Sequence, residues 1–219
     1  MSKTTLLAGA TGLVGSAVLP LLLADECVGK VIALVRRPLP VQHPKLEQWQ
    51  GTPLLVALGA QPVDAVICCL GTTIRKAGSQ AAFCAVDKDL PVGIAHWARA
   101  QGVPTFCLIS ALGADVRSRI FYSRVKGEVE QALEALDFPH LAIFRPSILD
   151  GPRQENRAGE RAGIAVLKLL GPLLAGRMEN FRLMPHTVLA QALVHAALQP
   201  RPGIRRYGWR AIRELAAAR

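Results

Sequence analysis

The chain has 219 residues, of which 51% are hydrophobic and 19% charged, with a formal net charge of +10. That length suits one domain with a continuous core, and the composition excludes disorder, a collagen-like chain and a low-complexity nucleic-acid-binding tail. Residues 1–146 carry 14 Lys/Arg against 11 Asp/Glu and residues 147–219 carry 12 against 5, so the positive excess sits in the last third.

From Thr4 to Ala24 no residue is charged, a length that would span a bilayer if it were one helix. Gly9, Gly12, Gly15 and Pro20 make a poor continuous helix there and a good strand, glycine turn and helix. The spacing therefore predicts a strand over Lys3–Ala8 and a helix over Leu13–Ala24. Lys30–Val35 follows as a buried strand, then a short strand near Leu46–Trp49 and a brief helix after Pro53. Val63–Leu70 is a strong apolar strand ending at Gly71. Ser79–Gln101 reads as helix, in two pieces around Asp87–Pro91. Thr105–Ser110 is a strand, Ile120–Leu136 a helix and His140–Phe144 a strand ending at Arg145-Pro146. Beyond it, Gly151–Gly163 is polar and loop-like, while Thr187–Gln199 and Trp209–Ala218 have helical spacing.

Short continuous apolar strands separated by helices imply a parallel sheet covered on both faces, hence a doubly wound α/β fold. A single domain over 1–219 is expected, with a cofactor-binding core over 1–146 and a small basic cap over 147–219.

The first βα junction reads Gly9-Ala10-Thr11-Gly12-Leu13-Val14-Gly15. Glycines at this position allow a tight turn and close approach of the backbone to a pyrophosphate, and a helix N-terminus offers free N–H groups. Dinucleotide binding is expected there; packing of helix on strand is the plainer alternative. The second strand ends Val35-Arg36-Arg37, with no carboxylate to accept from a ribose 2′-hydroxyl. Two guanidinium groups instead match the 2′-phosphate of NADPH, or form an ordinary surface pair.

Cys27, Cys68, Cys69, Cys84 and Cys107 are odd in number and lack a C-x-x-C spacing, which fits core thiols in a reducing, cytoplasmic setting. The five His are scattered without ligand spacing, so no metal is expected. His186 and His195 read as core-edge residues, and Phe181 and Trp209 as packing residues.

Tyr122-Ser123-Arg124-Val125-Lys126 places a tyrosine and a lysine one helical turn apart on a shared face. A tyrosine is a poor acid–base group at neutral pH, and a neighbouring ammonium would favour the phenolate and bring the group nearer its working range. Ser110 ends the preceding strand, where it would hydrogen-bond a substrate carbonyl or merely cap a turn.

With this Ser…Tyr-x-x-x-Lys set and its glycine turn, the chain resembles the short-chain dehydrogenase/reductase superfamily. It is most similar to the atypical branch of Tat-interacting-protein-like NAD(P)-binding oxidoreductases. The resemblance is carried by Cys68-Cys69-Leu70-Gly71-Thr72-Thr73, Lys76-Ala77-Gly78, Val86-Asp87-Lys88-Asp89, and Ser110 with Gly113-Ala114-Asp115. It continues through Val125-Lys126-Gly127-Glu128-Val129-Glu130, Phe144-Arg145-Pro146 and Arg153-Gln154-Glu155-Asn156-Arg157.

The resemblance implies a Rossmann fold, NADP(H) as cofactor, and Ser110, Tyr122 and Lys126 as the catalytic set. It also implies that Leu70, Gly71 and Thr72 line the cofactor; with the glycine turn and the arginine pair, the expected cofactor contacts are Gly9, Thr11, Gly12, Leu13, Val14, Gly15, Arg36, Arg37, Leu70, Gly71, Thr72, Lys126, Arg145 and Pro146. Asp87 is a departure, since many extended relatives carry Asn there.

Arg153, Arg157 and Arg161 would clamp an anionic substrate or only solvate a loop. The expected activity is an NADPH-dependent oxidoreductase acting on a small-molecule carbonyl or alkene. The alternative is a non-catalytic NADPH-binding regulator with a basic partner surface. Nucleic acid is disfavoured, because no recognition motif occurs and aromatic residues are few. No membrane partner is expected, and monomer and homodimer both remain open.

Overall fold

The computed structural model describes residues 2–150 and 182–218. In chain order the elements are β1 (Lys3–Ala8), α1 (Gly15–Ala24), β2 (Val28–Val35), β3 (Leu46–Gln50), a single 3-10 turn (Leu54–Ala57) and β4 (Ala65–Cys68). Next come α2 (Ile74–Ala77), α3 (Gln80–Cys84), a π turn (Ala85–Asp89), α4 (Leu90–Ala100), β5 (Thr105–Ile109), α5 (Phe121–Glu134) and β6 (His140–Phe144). The chain closes with the short pair β7 (Leu149–Asp150) and β8 (Met184–Pro185), then α6 (His186–Leu198), β9 (Gly203–Tyr207) and α7 (Trp209–Ala217).

Seven strands form one parallel sheet in the order β3-β2-β1-β4-β5-β6-β9. Successive side chains of a strand point to opposite faces, so each strand feeds two cores. Leu7, Ile67, Cys107 and Phe144 join α1, α6 and α7 on one face. Leu6, Ala8, Val66, Phe106 and Leu108 join α4 and α5 on the other. Both faces are covered, which explains the continuous apolar runs and gives a doubly wound α/β fold of the Rossmann type.

The uncharged stretch at the N-terminus resolves into β1, the glycine turn and α1. No described helix is long and apolar enough to cross a membrane. The helix starts at Gly15 rather than Leu13, because the residues before it form the turn. The long helix over 79–101 is α3 and α4 joined through the π turn, and Pro91, which has no N–H to give, sits in the first turn of α4.

The expected boundary between core and cap needs correction. Much of the described part of 147–219 completes the core: β9 pairs with β6, α6 lies in the layer of α1, and Tyr207 stacks on Phe144 with ring centroids 5.0 Å apart. β9 escapes a search for apolar strands because it is the sheet edge. Four of its five residues are exposed, and an edge strand tolerates Arg205 and Arg206 where a central one would not.

Candidate functional site

Parallel sheets bind ligands outside the carboxyl ends of their strands, where neighbouring crossovers leave on opposite faces. Here that point lies between β1 and β4: the chain after β1 enters α1 on one face, and the chain after β4 enters α3 and α4 on the other.

The glycine turn is built for close approach. Gly9 has φ +87°, and a Cβ there would lie 2.7 Å from the Cys69 carbonyl oxygen of the neighbouring crossover. A Cβ on Gly15 would fall 2.1 Å from the Gly9 carbonyl oxygen, so both positions demand glycine. The Gly12 N–H donates to Gly9 O at 2.9 Å, which closes the turn. Thr11 and Gly12 are exposed, and among the described residues no acceptor takes up the N–H groups of Thr11, Leu13 or Val14. The N-terminus of α1 carries neither a capping side chain nor an acidic residue in its first turn. A cradle with free donors, a positive dipole end and no competing carboxylate fits a pyrophosphate.

Arg36 and Arg37 lie just past β2 and are exposed. Gln48 pins the loop after them by accepting from the Leu39 N–H at 2.7 Å. Gly71 is exposed, while Leu70 and Thr72 are half-buried beside the turn.

Tyr122 and Lys126 share one face of α5, as expected, and Glu130 continues that face by another turn. The Lys126 ammonium is buried and lies 2.8 Å from Asp87 Oδ1. The other Asp87 oxygen accepts from the Thr72 N–H at 2.7 Å. Asp87 thus ties α5 to the loop after β4, and brings Lys126 to the Gly71–Thr72 segment. The Tyr122 ring packs on Phe83 with centroids 5.8 Å apart. Burial pushes the Tyr122 phenol above its usual value; Lys126 pulls it down and Asp87 pushes it up. The expected depression of that phenol is therefore not found, because burial outweighs an ammonium already matched by a carboxylate.

Ser110 is buried, and its hydroxyl donates to Glu130. Arg145 also turns to Glu130, from Nε at 3.0 Å and Nη2 at 2.5 Å. Pro146 is buried, and its carbonyl accepts from the Leu112 N–H at 2.9 Å, steadying the loop after β5. Arg145 and Pro146 are thus engaged in contacts within the fold.

Two residues of this arrangement were not singled out as site residues by the sequence. Glu130 looks like any surface carboxylate on an amphipathic helix until β6 and β5 are placed against it. A Cβ on Gly127 would meet Asp115 C and Val116 N at 2.4 Å, so Gly127 lets the loop after β5 lie directly on α5. A glycine inside a helix was the available signal.

Among the described residues no cluster of His, Cys, Asp or Glu could hold a metal ion. His195 is buried in α6 and His186 Nδ1 lies 3.0 Å from Asp150 O, which agrees with core-edge positions. Trp209 is buried, with Nε1 donating to Leu183 O at 3.1 Å. Arg153, Arg157, Arg161 and Phe181 lie outside the described residues.

A family model described as NAD(P)H-binding matches residues 9–164. Protein HTATIP2 of Rattus norvegicus is 37% identical over 172 residues, 73% of this chain and 68% of that protein. The protein FMP52, mitochondrial, of Eremothecium gossypii is 36% identical over 174 residues, 77% of this chain and 75% of that one. Among solved structures, the Bordetella bronchiseptica enzyme WbmH in complex with NAD+ superposes with a TM-score of 0.69 at 17% identity, over 100% of this chain and 80% of that chain. Human epimerase family protein SDR39U1 with NADPH gives a TM-score of 0.63 at 19% identity, over 94% and 74%. At such identities the structural likeness speaks for the fold alone.

Proposed function

The chain belongs to the NAD(P)H-binding family of atypical short-chain dehydrogenase/reductase-like proteins, and from that premise we propose an NADPH-dependent oxidoreductase acting on a carbonyl or alkene of a small-molecule substrate. The observation that supports this reading is the contact running from the Tyr122–Lys126 face of α5 through Asp87 to Thr72, beside a glycine cradle with free donors.

Gly9, Thr11, Gly12, Leu13, Val14 and Gly15 would hold the pyrophosphate, and Arg36 and Arg37 the 2′-phosphate. Leu70, Gly71 and Thr72 would line the remainder. The nicotinamide, when bound, supplies the hydride that a substrate carbon receives. Tyr122 then gives its phenol proton to the substrate oxygen as the carbonyl π bond opens, which yields an alcohol, and water restores the phenol. Lys126 steadies the developing phenolate, and Ser110 supports the oxygen side of the site through Glu130.

All five cysteines are free, which supports a reducing compartment. Cytoplasm remains our assignment; the fungal relative carries mitochondrial in its name, and that compartment is the competing one.

Fluorescence titration with NADPH, followed by NADPH consumption against a panel of aldehydes, ketones and enones, tests the reading. Micromolar binding and turnover lost in Tyr122→Phe, with NADPH affinity kept within several-fold, are expected. Wild-type kcat in that variant removes Tyr122 from the mechanism. A second reading, cofactor binding without turnover, is favoured by the commitment of the Ser110 hydroxyl to Glu130. NADPH binding with no consumption across the panel selects it.

A further inference from the structure

The buried pair of Lys126 and Asp87 has consequences for which way a proton moves. The two side chains are 6% and 1% exposed, and Lys126 Nζ lies 2.8 Å from Asp87 Oδ1. Two segments besides α5 meet at Asp87, the π turn and the Gly71–Thr72 loop. The π turn carries its backbone, the Thr72 N–H donates to its second oxygen, and Gly71 lies near enough that an added Cβ would be 3.6 Å from Oδ1. A carboxylate so fixed is part of the site's architecture rather than a passing contact.

An ammonium favours a nearby phenolate only to the extent that its charge is unmatched. Here a full negative charge touches Lys126 in a region shielded from water, so Tyr122 meets a compact dipole rather than a cation. Among the described residues the charged groups acting on Tyr122 are Lys126, one turn along its own helix, and Asp87 from the π turn. Phe83 of α3 contributes an uncharged ring, and Lys88 is turned to Glu128 at 2.9 Å. Glu130 is spent on Ser110 and Arg145.

Resting on the reading of Tyr122 and Lys126 as the proton-transfer pair, we propose that Asp87 is a charge-balancing positioning residue that offsets the Lys126 ammonium beside Tyr122, so that the resting site gives a proton to a substrate oxygen rather than taking one. The raised phenol agrees with this, with burial as its main cause and Asp87 adding to it against Lys126. The site is thereby suited to reduction at neutral pH. The reverse reaction needs an ionised Tyr122 and becomes available only at alkaline pH.

The chain has two tyrosines, Tyr122 and Tyr207, so Tyr207→Phe isolates Tyr122 for titration without cofactor or substrate. Tyrosinate absorbance is read immediately after a rapid jump to each pH, before unfolding sets in. Tyr122 is expected to ionise above 10, the ordinary value. Adding Asp87→Asn should lower that midpoint, and adding Lys126→Met to Asp87→Asn should restore it. Where Asp87→Asn does not fold, Asp87→Ser carries the same expectation.

A Tyr122 midpoint below 10 in the Tyr207→Phe protein overturns the proposal without any change at Asp87. So does an unmoved midpoint in a folded Asp87 variant. NADPH titration of the same protein separates this from the proposed function. Absent NADPH binding overturns the function and leaves the charge balance standing, whereas NADPH binding with a low Tyr122 midpoint does the opposite.

Discussion

The Ser110 hydroxyl donates to the carboxylate of Glu130, which lies two helical turns beyond Tyr122 on the same face of α5. Arg145 grips that carboxylate from the far side, and Arg206 Nε approaches it at 3.8 Å. One buried acid thus joins α5 to the ends of β5, β6 and β9.

Removing Glu130 leaves a buried hydroxyl and a partly buried guanidinium without their acceptor. Breaking a fully buried pair costs about 3–5 kcal/mol, and Arg145 keeps some access to water, so Glu130→Ala should lose roughly 2–4 kcal/mol. Glu130→Gln keeps an acceptor for Ser110 and should lose about 1–2 kcal/mol. Urea unfolding decides it: an alanine variant within about 0.5 kcal/mol of wild type means the network is ornamental to stability.

Gly15 and Gly12 should fail differently. A Cβ on Gly15 runs into Gly9 O at 2.1 Å and Gly9 C at 2.7 Å, so Gly15→Ala has to prise the turn open. It should lower both Tm and NADPH affinity. A Cβ on Gly12 is 3.3 Å from Gly9 O and in ordinary contact with Cys69 O at 3.9 Å, on an exposed part of the turn proposed to hold the pyrophosphate. Gly12→Ala should therefore weaken NADPH about tenfold or more while changing stability by no more than about 1 kcal/mol. Unchanged NADPH affinity in Gly12→Ala would remove the turn from cofactor binding.

Alkaline pH should destabilise the chain through its core thiols. Burial pushes the Cys68 thiol up to about 11 and that of Cys107 up to about 12, from an ordinary value of 9.0. A raised value means the folded state holds the proton longer, so the contribution is fully present below pH 9.0 and is lost as pH climbs toward 11 and 12. At 1.36 kcal/mol per unit, moving from pH 8 to about 10.5 should remove roughly 2 kcal/mol for each of the two thiols. Urea unfolding under reducing conditions at both pH values measures the loss. Burial raises the Cys69 thiol as well, so Cys107→Ala should recover only its own share, roughly 2 kcal/mol; a flat pH dependence across that window contradicts the assignment.

Apolar periodicity made the central strands readable, because each is buried on both faces and its sequence carries the signal. Lys3–Ala8 and His140–Phe144 match β1 and β6 to the residue. β9 was invisible for the opposite reason, since an exposed edge strand is free to be Gly203-Ile204-Arg205-Arg206-Tyr207. The glycine turn was legible because close approach leaves glycine as the sole solution. Glu130 and the Asp87–Lys126 contact were not. Both depend on which crossover faces which, and long-range pairing leaves no local pattern in the residues that make it.

Coenzyme preference is where charge alone makes the prediction. Arg36 and Arg37 follow β2, are exposed, and meet no carboxylate in the loop that Gln48 holds. A 2′-phosphate placed there gains charge-assisted hydrogen bonds that the 2′-hydroxyl of NADH cannot match, at about 1.5–3 kcal/mol each before solvent exposure is taken into account. Exposure trims that gain, since two mobile side chains have to be ordered and salt screens them. NADPH should then bind about 10- to 100-fold more tightly than NADH, each tenfold being 1.4 kcal/mol. Replacing both arginines by alanine should erase most of the preference while leaving NADH affinity within about twofold, and raising the salt should narrow the wild-type gap but not that of the double variant. Fluorescence titrations with the two nucleotides measure all of this. Equal affinities in the wild type, or a preference for NADH, would make the arginines plain surface charge and move the adenosine-binding determinants elsewhere on the edge of β2.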